Sequence, residues 1–275
     1  MAAQMKARFA KPGKLAVVMA VGLIWTLVPG PFLLRAQTAD LPGLLDRLSG
    51  NVSAFLEVIS QVNCTEHLTQ EKIGDNGKTI EKRQSAFDYL LLLSNPGGEI
   101  NLVESRVAAD SNKESKEKSP LLLSNGFSML LLIFHPYYSS GFQFSLAGED
   151  SDSGESLIKV NFKHISGTRS LAALAVRGRE YPLDLSGTAW IEPRAGVIKK
   201  IEATIGTEME DVGLRGLHCE IEYAPTTFQS VPGVYWLPAR TIVEVESRHQ
   251  HWRNTHVFLA YKHFSVNTKE QIAHP

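Results

Sequence analysis

Apolar and polar residues alternate through a long series of short segments between Phe142 and the C-terminal end of the chain. Glycine, proline, aspartate and asparagine separate one segment from the next. A period of two places alternate side chains on one face of a β-strand, so each segment predicts a strand. The predicted strands cover residues 142–148, 156–165, 171–177, 181–191, 196–206, 214–224, 234–247 and 252–266. Their succession without intervening helical segments predicts an antiparallel meander.

The residues before this series predict a long helix followed by a hairpin. Nine apolar residues recur at three- and four-residue steps over residues 40–62, which is the spacing of an amphipathic helix. Asn76 and Gly77 then favour a tight turn between two strands. The second strand ends in residues 87–93, which are apolar on both faces and are therefore expected to be covered on both sides. A further strand is predicted from Glu99 to Val107.

Two segments separate the hairpin from the meander. Residues 110–119 form a charged connector, and residues 125–134 are apolar and predict either a short helix that ends before Pro136 or a buried strand. The predicted fold class is therefore α+β, with about ten antiparallel strands and two helices. Because so few helices cannot cover a long sheet, we expect the sheet to curl and its concave side to close on itself or to hold something apolar.

The N-terminus has the three parts of an export signal. A basic stretch from Lys6 to Lys14 precedes an uncharged apolar run, two prolines interrupt the chain, and small residues follow at Ala36 and Ala39. We predict a signal peptide over residues 1–36, with cleavage near Ala36, and one domain over 37–275. This places the protein in the periplasm or outside the cell. An uncleaved N-terminal membrane anchor is the alternative; the mature form is not expected to span a membrane.

The remaining charge argues against some partners. Residues 1–36 carry five basic residues and no acidic residue, which leaves 23 basic against 29 acidic residues in the rest of the chain, a net charge of −6. Nucleic acids and anionic membrane surfaces attract basic faces, so the sequence predicts no nucleic-acid partner.

No sequence motif of catalysis or of cofactor binding is present, and we predict neither an enzyme nor a cofactor. The one local concentration of potential ligands contains four histidines: His249, His251, His256 and His263. Three basic residues and no carboxylate lie among them, so solvated or packed histidines are expected rather than a metal site. A hydrolase or metal-dependent enzyme built on these histidines is one alternative function, beside the two that are given at the end of this section.

The two cysteines, Cys64 and Cys219, allow two interpretations. In an oxidising compartment they could form a disulfide that closes a long loop. Alternatively they are two buried thiols that pack as small apolar groups.

Alternation within the later strands selects a set of inward side chains. A strand that ends at Trp190 turns through a Pro/Gly segment into a partner strand, and two further strands follow. The face is either that of an ordinary half-buried sheet or the lining of an acyl-chain pocket. Its candidate lining residues are Trp190, Val197, Ile201, Ile205, Leu217, Ile221, Tyr223, Val243 and Val245.

Three stretches carry a resemblance to a known family: GTAWIEPRAGVIKKIEA, VYWLPARTIVEVE and HVFLAYKHFSVNT. They resemble the outer-membrane lipoprotein-sorting (LolA/LppX-like) families of exported proteins, and the recognisable wording lies within residues 186–266. The resemblance implies an open, strongly curved antiparallel half-barrel that is closed by helices and whose cavity holds lipid or the acyl chains of a lipoprotein.

The leading hypothesis is accordingly a non-enzymatic periplasmic carrier or sensor that binds an apolar ligand in the concavity. The alternative is a structural or interaction protein of the cell envelope, whose sheet is filled by its own side chains and which binds an envelope protein partner.

Overall fold

The computed structural model describes residues 40–94, 100–108, 126–150, 155–176, 179–248 and 250–264. The predicted leader over 1–36 and the predicted connector over 110–119 lie outside these residues. Among the described residues, no helix combines the length and the apolar character that a membrane span requires.

Helix α1 spans Leu41–Ile59. Asp40 is its N-cap residue and Pro42 lies in its first turn, although the Asp40 side chain makes no capping hydrogen bond. Its buried stripe follows the three- and four-residue spacing: Leu44, Leu48, Val52, Phe55, Leu56 and Ile59. The helix is shorter than predicted because the chain enters the first strand at Val62.

Ten strands form one open, curved antiparallel sheet. Its order is β3-β2-β1-β12-β11-β10-β9-β8-β5-β4, so the first hairpin pairs with the last strand of the chain. The strands of this sheet are β1 (Val62–Ile73), β2 (Thr79–Ser94), β3 (Asn101–Ala108), β4 (Phe142–Asp150), β5 (Leu157–His164), β8 (Leu185–Glu192), β9 (Val197–Ile205), β10 (Leu214–Thr226), β11 (Tyr235–Ser247) and β12 (His251–His263).

A separate two-stranded hairpin consists of β6 (Ala173–Val176) and β7 (Arg179–Pro182). The prediction of one strand over 181–191 was therefore wrong, since the chain changes partners in the middle of that segment. The Leu183 amide bonds to the carbonyl of Ala172, whereas Leu185 pairs with Ile205. Leu183 and Leu185 are both buried, so alternation continues across the break and conceals it in the sequence.

Strand β2 differs from its prediction on one face. Tyr89 and Leu91 are buried, but Leu92 is 49% exposed and lies beside Val103, which is 50% exposed. Helix α1 and the short helix described next both pack on one face of the sheet, here named the inner face, whereas Leu92 lies on the opposite face. The expectation that residues 87–93 are covered on both sides was therefore wrong.

The apolar segment at 125–134 forms a short helix, one of its two predicted forms. It is a 3₁₀ helix over Phe127–Phe134, here named the covering segment, and it contacts α1, β9, β10 and β11. It ends before Pro136, which opens the four-residue helix α2 (Pro136–Ser139). The predicted class, a curved antiparallel sheet of about ten strands with an N-terminal helix and a short second helix, is confirmed.

Candidate functional site: the inner face of the sheet

One row of side chains crosses the inner face from apolar to polar. Each residue of the row lies opposite the next on neighbouring strands: Val160, Ala189, Ile201, Ile221, Thr241 and His256. All six are at most 3% exposed. We name the part of the inner face on β5 and β8 to β10 the apolar half, and the part on β12 and β1 to β3, which contains the buried His256 and Glu66, the polar half. Thr241 of β11 stands at the border.

The covering segment closes the apolar half. From Ser128 to Phe134 every residue is 4% exposed or less. Helix α1 packs beside it, and Asn51 of α1 donates hydrogen bonds to the carbonyls of Ala195 and Gly196 in the turn between β8 and β9. The inner face is thus filled by the chain's own apolar side chains.

Seven of the nine residues proposed to line a pocket belong to this half or pack against it. Ile201, Leu217, Ile221, Tyr223 and Val243 lie in the buried core, and Ile205 and Val245 are partly buried against it. The structure brings these seven together. Their role as a ligand lining stays a prediction.

Trp190 and Val197 lie on the outer face instead. Trp190 pairs with Lys200 and donates from its indole nitrogen to Asp150 over 2.9 Å. The register shifts at the next residue, because Ile191 pairs with Ile198 rather than with Lys199. Strand β9 therefore contains a β-bulge, which changes the face on which the side chains before Lys200 lie. This bulge places Ile198 rather than Val197 inside, which alternation alone could not indicate.

A buried charged cluster occupies the polar half. Glu66 is fully buried and accepts hydrogen bonds from Arg106, over 2.5 and 3.0 Å, and from Nδ1 of His256, over 2.6 Å. Arg106 also pairs with Glu104, its Nη1 lying 2.8 Å from Oε2. We name Glu66, Glu104, Arg106 and His256 the polar cluster.

The polar cluster holds the start of the covering segment. The Gly126 amide donates to Oε1 of Glu104 over 2.8 Å, and the Ser128 hydroxyl lies 3.4 Å from the same oxygen. The Tyr89 hydroxyl lies 3.2 Å from the Ser128 hydroxyl. The first residues of the segment are therefore fixed by directional bonds, while the remainder is fixed by apolar packing.

The surroundings of Glu66 keep it ionised. Burial by itself raises the pKa of this carboxyl, but the hydrogen bonds from His256 and Arg106 and the charge of Arg106 together lower the pKa below its ordinary value of 4.5. A buried carboxylate that orients an imidazole resembles part of an acid–base site. The cavity beside His256 has a volume of about 10 Å³, however, and a space of that size admits no substrate larger than a water molecule.

The sequence analysis did not select Glu66 or Arg106. One signal was present: Glu66 follows Val62 and Cys64 at the period of two that places side chains inside. A glutamate at an inward position of a strand indicates a buried ion pair, because an unpaired charge there is too costly. The partner could not be read from the sequence, since Arg106 is 40 and His256 is 190 positions away.

The described histidines of the C-terminal strand have separate partners. His256 bonds Glu66, His251 lies 3.4 Å from Glu244, and His263 bonds the Ser230 hydroxyl. His249 lies outside the described residues. Within the described ranges, no three His, Cys, Asp or Glu side chains are grouped as metal ligands would be.

The two cysteines are free and buried. Cys64 lies on β1 and Cys219 on β10, and β12 and β11 lie between these strands. Three strand spacings separate them by roughly 14 Å along the sheet, whereas a disulfide needs Cα atoms within about 7 Å. Burial raises the pKa of the Cys64 thiol to about 12, which leaves it unreactive. The structure therefore agrees with the second interpretation, in which the two cysteines are buried thiols without a disulfide.

Two larger clefts lie at the ends of the strands, and the first of them reaches the apolar half, because Ile205 and Leu217 are among its lining residues. One, of about 350 Å³, is lined mainly by polar residues that include Arg215, His218 and Glu246. The other, of about 360 Å³, lies beside Lys163 and the buried His164, whose Nδ1 is 2.8 Å from Asp184. Neither has the apolar lining expected of an acyl-chain pocket.

Comparison with known proteins yields structural likeness only. No family model matches the sequence, and no curated protein matches it. Two similar solved structures are a DUF1329 family protein from Desulfovibrio piger and a domain from Vibrio parahaemolyticus that is provisionally described as an outer membrane lipoprotein-sorting protein. Each has a TM-score of 0.43 and 9% sequence identity, and each match covers 82% of this chain and 94% of the other. With a TM-score below 0.5 and 9% identity, these likenesses carry no conclusion about the role of this chain.

Proposed function

We propose that the protein is a non-enzymatic carrier or sensor of the periplasm or the cell exterior, which binds lipid or lipoprotein acyl chains on the apolar half of the inner face. The ligand would take the place of the covering segment. The observation that carries this proposal is the burial of seven consecutive residues, from Ser128 to Phe134, against the sheet. The segment occupies the place that an acyl chain would fill.

The covering segment is suited to exchange because its own helical structure is weak. A 3₁₀ helix has poorer hydrogen-bond geometry than an α-helix and rarely exceeds four residues, and the covering segment consists of two short 3₁₀ pieces that meet at a kink. Met129 has non-helical backbone angles within it, and Gly126 before it has a left-handed φ of 79°. Apolar packing therefore provides most of its stability. Packing is non-directional and contributes about 25 cal/mol per Å² for any apolar partner.

The location follows from the N-terminal sequence. The basic stretch, the apolar run and the small residues around Ala36 support export, after which the residues 37–275 would work outside the cytoplasm. The mild net negative charge of the rest of the chain supports an apolar ligand rather than a nucleic acid.

A second candidate function is that of a structural or interaction protein of the cell envelope. The specific observation in its favour is that the covering segment already fills the apolar half, so the fold is complete without a ligand. The two candidates differ in whether the segment leaves the sheet when an acyl chain is present.

A pair of glycine variants separates them. Gly126→Ala places a side chain at φ 79°, and nothing lies within 4 Å of the new Cβ, so the cost is in backbone conformation alone, about 1 kcal/mol. If the ligand replaces the covering segment, weakening its start should raise the affinity for a fluorescent fatty acid about fivefold in a titration of delipidated protein.

Gly77→Ala is the matched control. Gly77 has a φ of 74°, also with nothing within 4 Å of its added Cβ, but it lies in the β1–β2 turn. We expect a similar loss of stability and an unchanged affinity. Absence of fatty-acid uptake by all three proteins, together with absence of lipid in mass spectra of protein purified from its native envelope, would reject the carrier and leave the interaction protein.

A further inference from the structure

We propose that the cavity between the polar cluster and the covering segment binds one ordered water molecule, and that this water forms the hydrogen bond that the Thr241 hydroxyl does not find in the protein. The site lies inside the fold and does not depend on the proposed function.

The first observation is the state of Thr241. Its side chain is 1% exposed, and among the described residues its hydroxyl oxygen has no hydrogen-bond partner. Burying a hydroxyl without a partner costs free energy, so a buried hydroxyl of a folded protein is nearly always bonded to protein or to ordered water.

The second observation is a small cavity that Thr241 helps to line. Its volume is about 10 Å³, and its walls include Glu104, Ser128, Thr241 and His256. A buried water needs a space of roughly 10–15 Å³ and two to four polar partners. A carboxylate accepts hydrogen bonds, and a threonine hydroxyl both donates and accepts, so a water bound to Thr241 can donate to Glu104.

Size and charge select water over other ligands. Phe127 and Phe258 also line the cavity, and its volume of about 10 Å³ leaves no room for an organic molecule. Arg106 also lines it, and its guanidinium disfavours a metal cation at the same position.

The water would connect three elements that the sequence separates widely. Thr241 belongs to β11 and His256 to β12, whereas Ser128 belongs to the covering segment. The water therefore adds a hydrogen-bonded link between the border of the apolar half and the end of the segment that Glu104 already holds.

A crystal structure at about 1.5 Å resolution and one substitution test the site. We expect a density peak within hydrogen-bond distance of the Thr241 hydroxyl. Thr241→Val keeps the side-chain shape and removes the hydroxyl, and it should lower Tm by roughly 2–4 °C because the bonded water loses a partner. The matched control is Thr255→Val, a half-buried threonine on the outer face of β12, which should change Tm by less than about 2 °C.

A higher Tm for Thr241→Val than for the wild type would overturn the inference. If the hydroxyl has no partner, Thr241→Val replaces an unsatisfied polar group by a methyl group and raises Tm. A cavity without density in the wild-type crystal overturns the inference as well, and this observation is sufficient alone if the variant fails to fold.

Discussion

The apolar and polar halves of the inner face hold the covering segment by different physics. In the apolar half, residues such as Ile201 and Ile221 make contacts that any apolar partner of similar shape could replace. In the polar half, Glu66, Arg106 and His256 are joined by bonds that require particular atoms at particular distances. The difference suggests a segment that is tethered at its first residues and exchangeable along the rest.

The largest expected effect comes from the polar half. Glu66→Ala leaves Arg106 and His256 without their buried carboxylate and should lower the free energy of unfolding by about 3–5 kcal/mol in urea denaturation. The control is Glu71→Ala on the same strand, where the partly buried glutamate lies 3.9 Å from the exposed Lys82 and the loss should stay below about 1 kcal/mol. Equal losses in the two variants would mean that the cluster does not stabilise the fold.

The second-largest loss of stability is expected for a substitution in the apolar half. Leu132→Ala removes a side chain that is 0% exposed and should cost about 2–5 kcal/mol through lost burial and the cavity left behind. Val103→Ala, at a position 50% exposed on the outer face, should cost about 0.5 kcal/mol or less in the same denaturation experiment. A small loss at Leu132 would show that the covering segment contributes little to the folded state.

The smallest expected effect is a loss of stability at low pH. Since the pKa of Glu66 in the folded protein is lower than its ordinary value of 4.5, its ionisation stabilises the fold above that value, and the contribution is lost as the pH falls through the folded pKa. We therefore expect stability to decline below about pH 4.5, and less steeply in Glu66→Gln, as followed by Tm between pH 7 and pH 3. Parallel pH profiles for the two proteins would assign the acid sensitivity to other carboxyls.

The sequence predicted the parts of the fold that repeat a period. The strands from Phe142 onward and helix α1 were found close to their expected bounds, because burial of one face imposes alternation or a stripe on each of them. The prediction from sequence failed where the pairing of a strand changes while the alternation of apolar and polar residues continues. This happens after Leu183, where the chain changes partner strands, and at the bulge between Trp190 and Ile191. Neither event leaves a local mark on the residue types.

The site was predictable only in its apolar half. Ile201, Ile221 and Val243 could be selected because their inward position is a local property. The pairing of Glu66 with His256 depends on β1 lying beside β12, a contact between the two ends of the domain that periodicity does not encode. The covering segment was ambiguous because a continuous apolar run has neither period.

Hydrogen–deuterium exchange of the amides in residues 127–134, with and without a saturating long-chain fatty acid, tests the account most directly. If an acyl chain replaces the covering segment on the sheet, these amides should exchange faster in the presence of the ligand while those of β8 to β10 remain protected. Slower or unchanged exchange in the segment, with the ligand bound, would contradict the account.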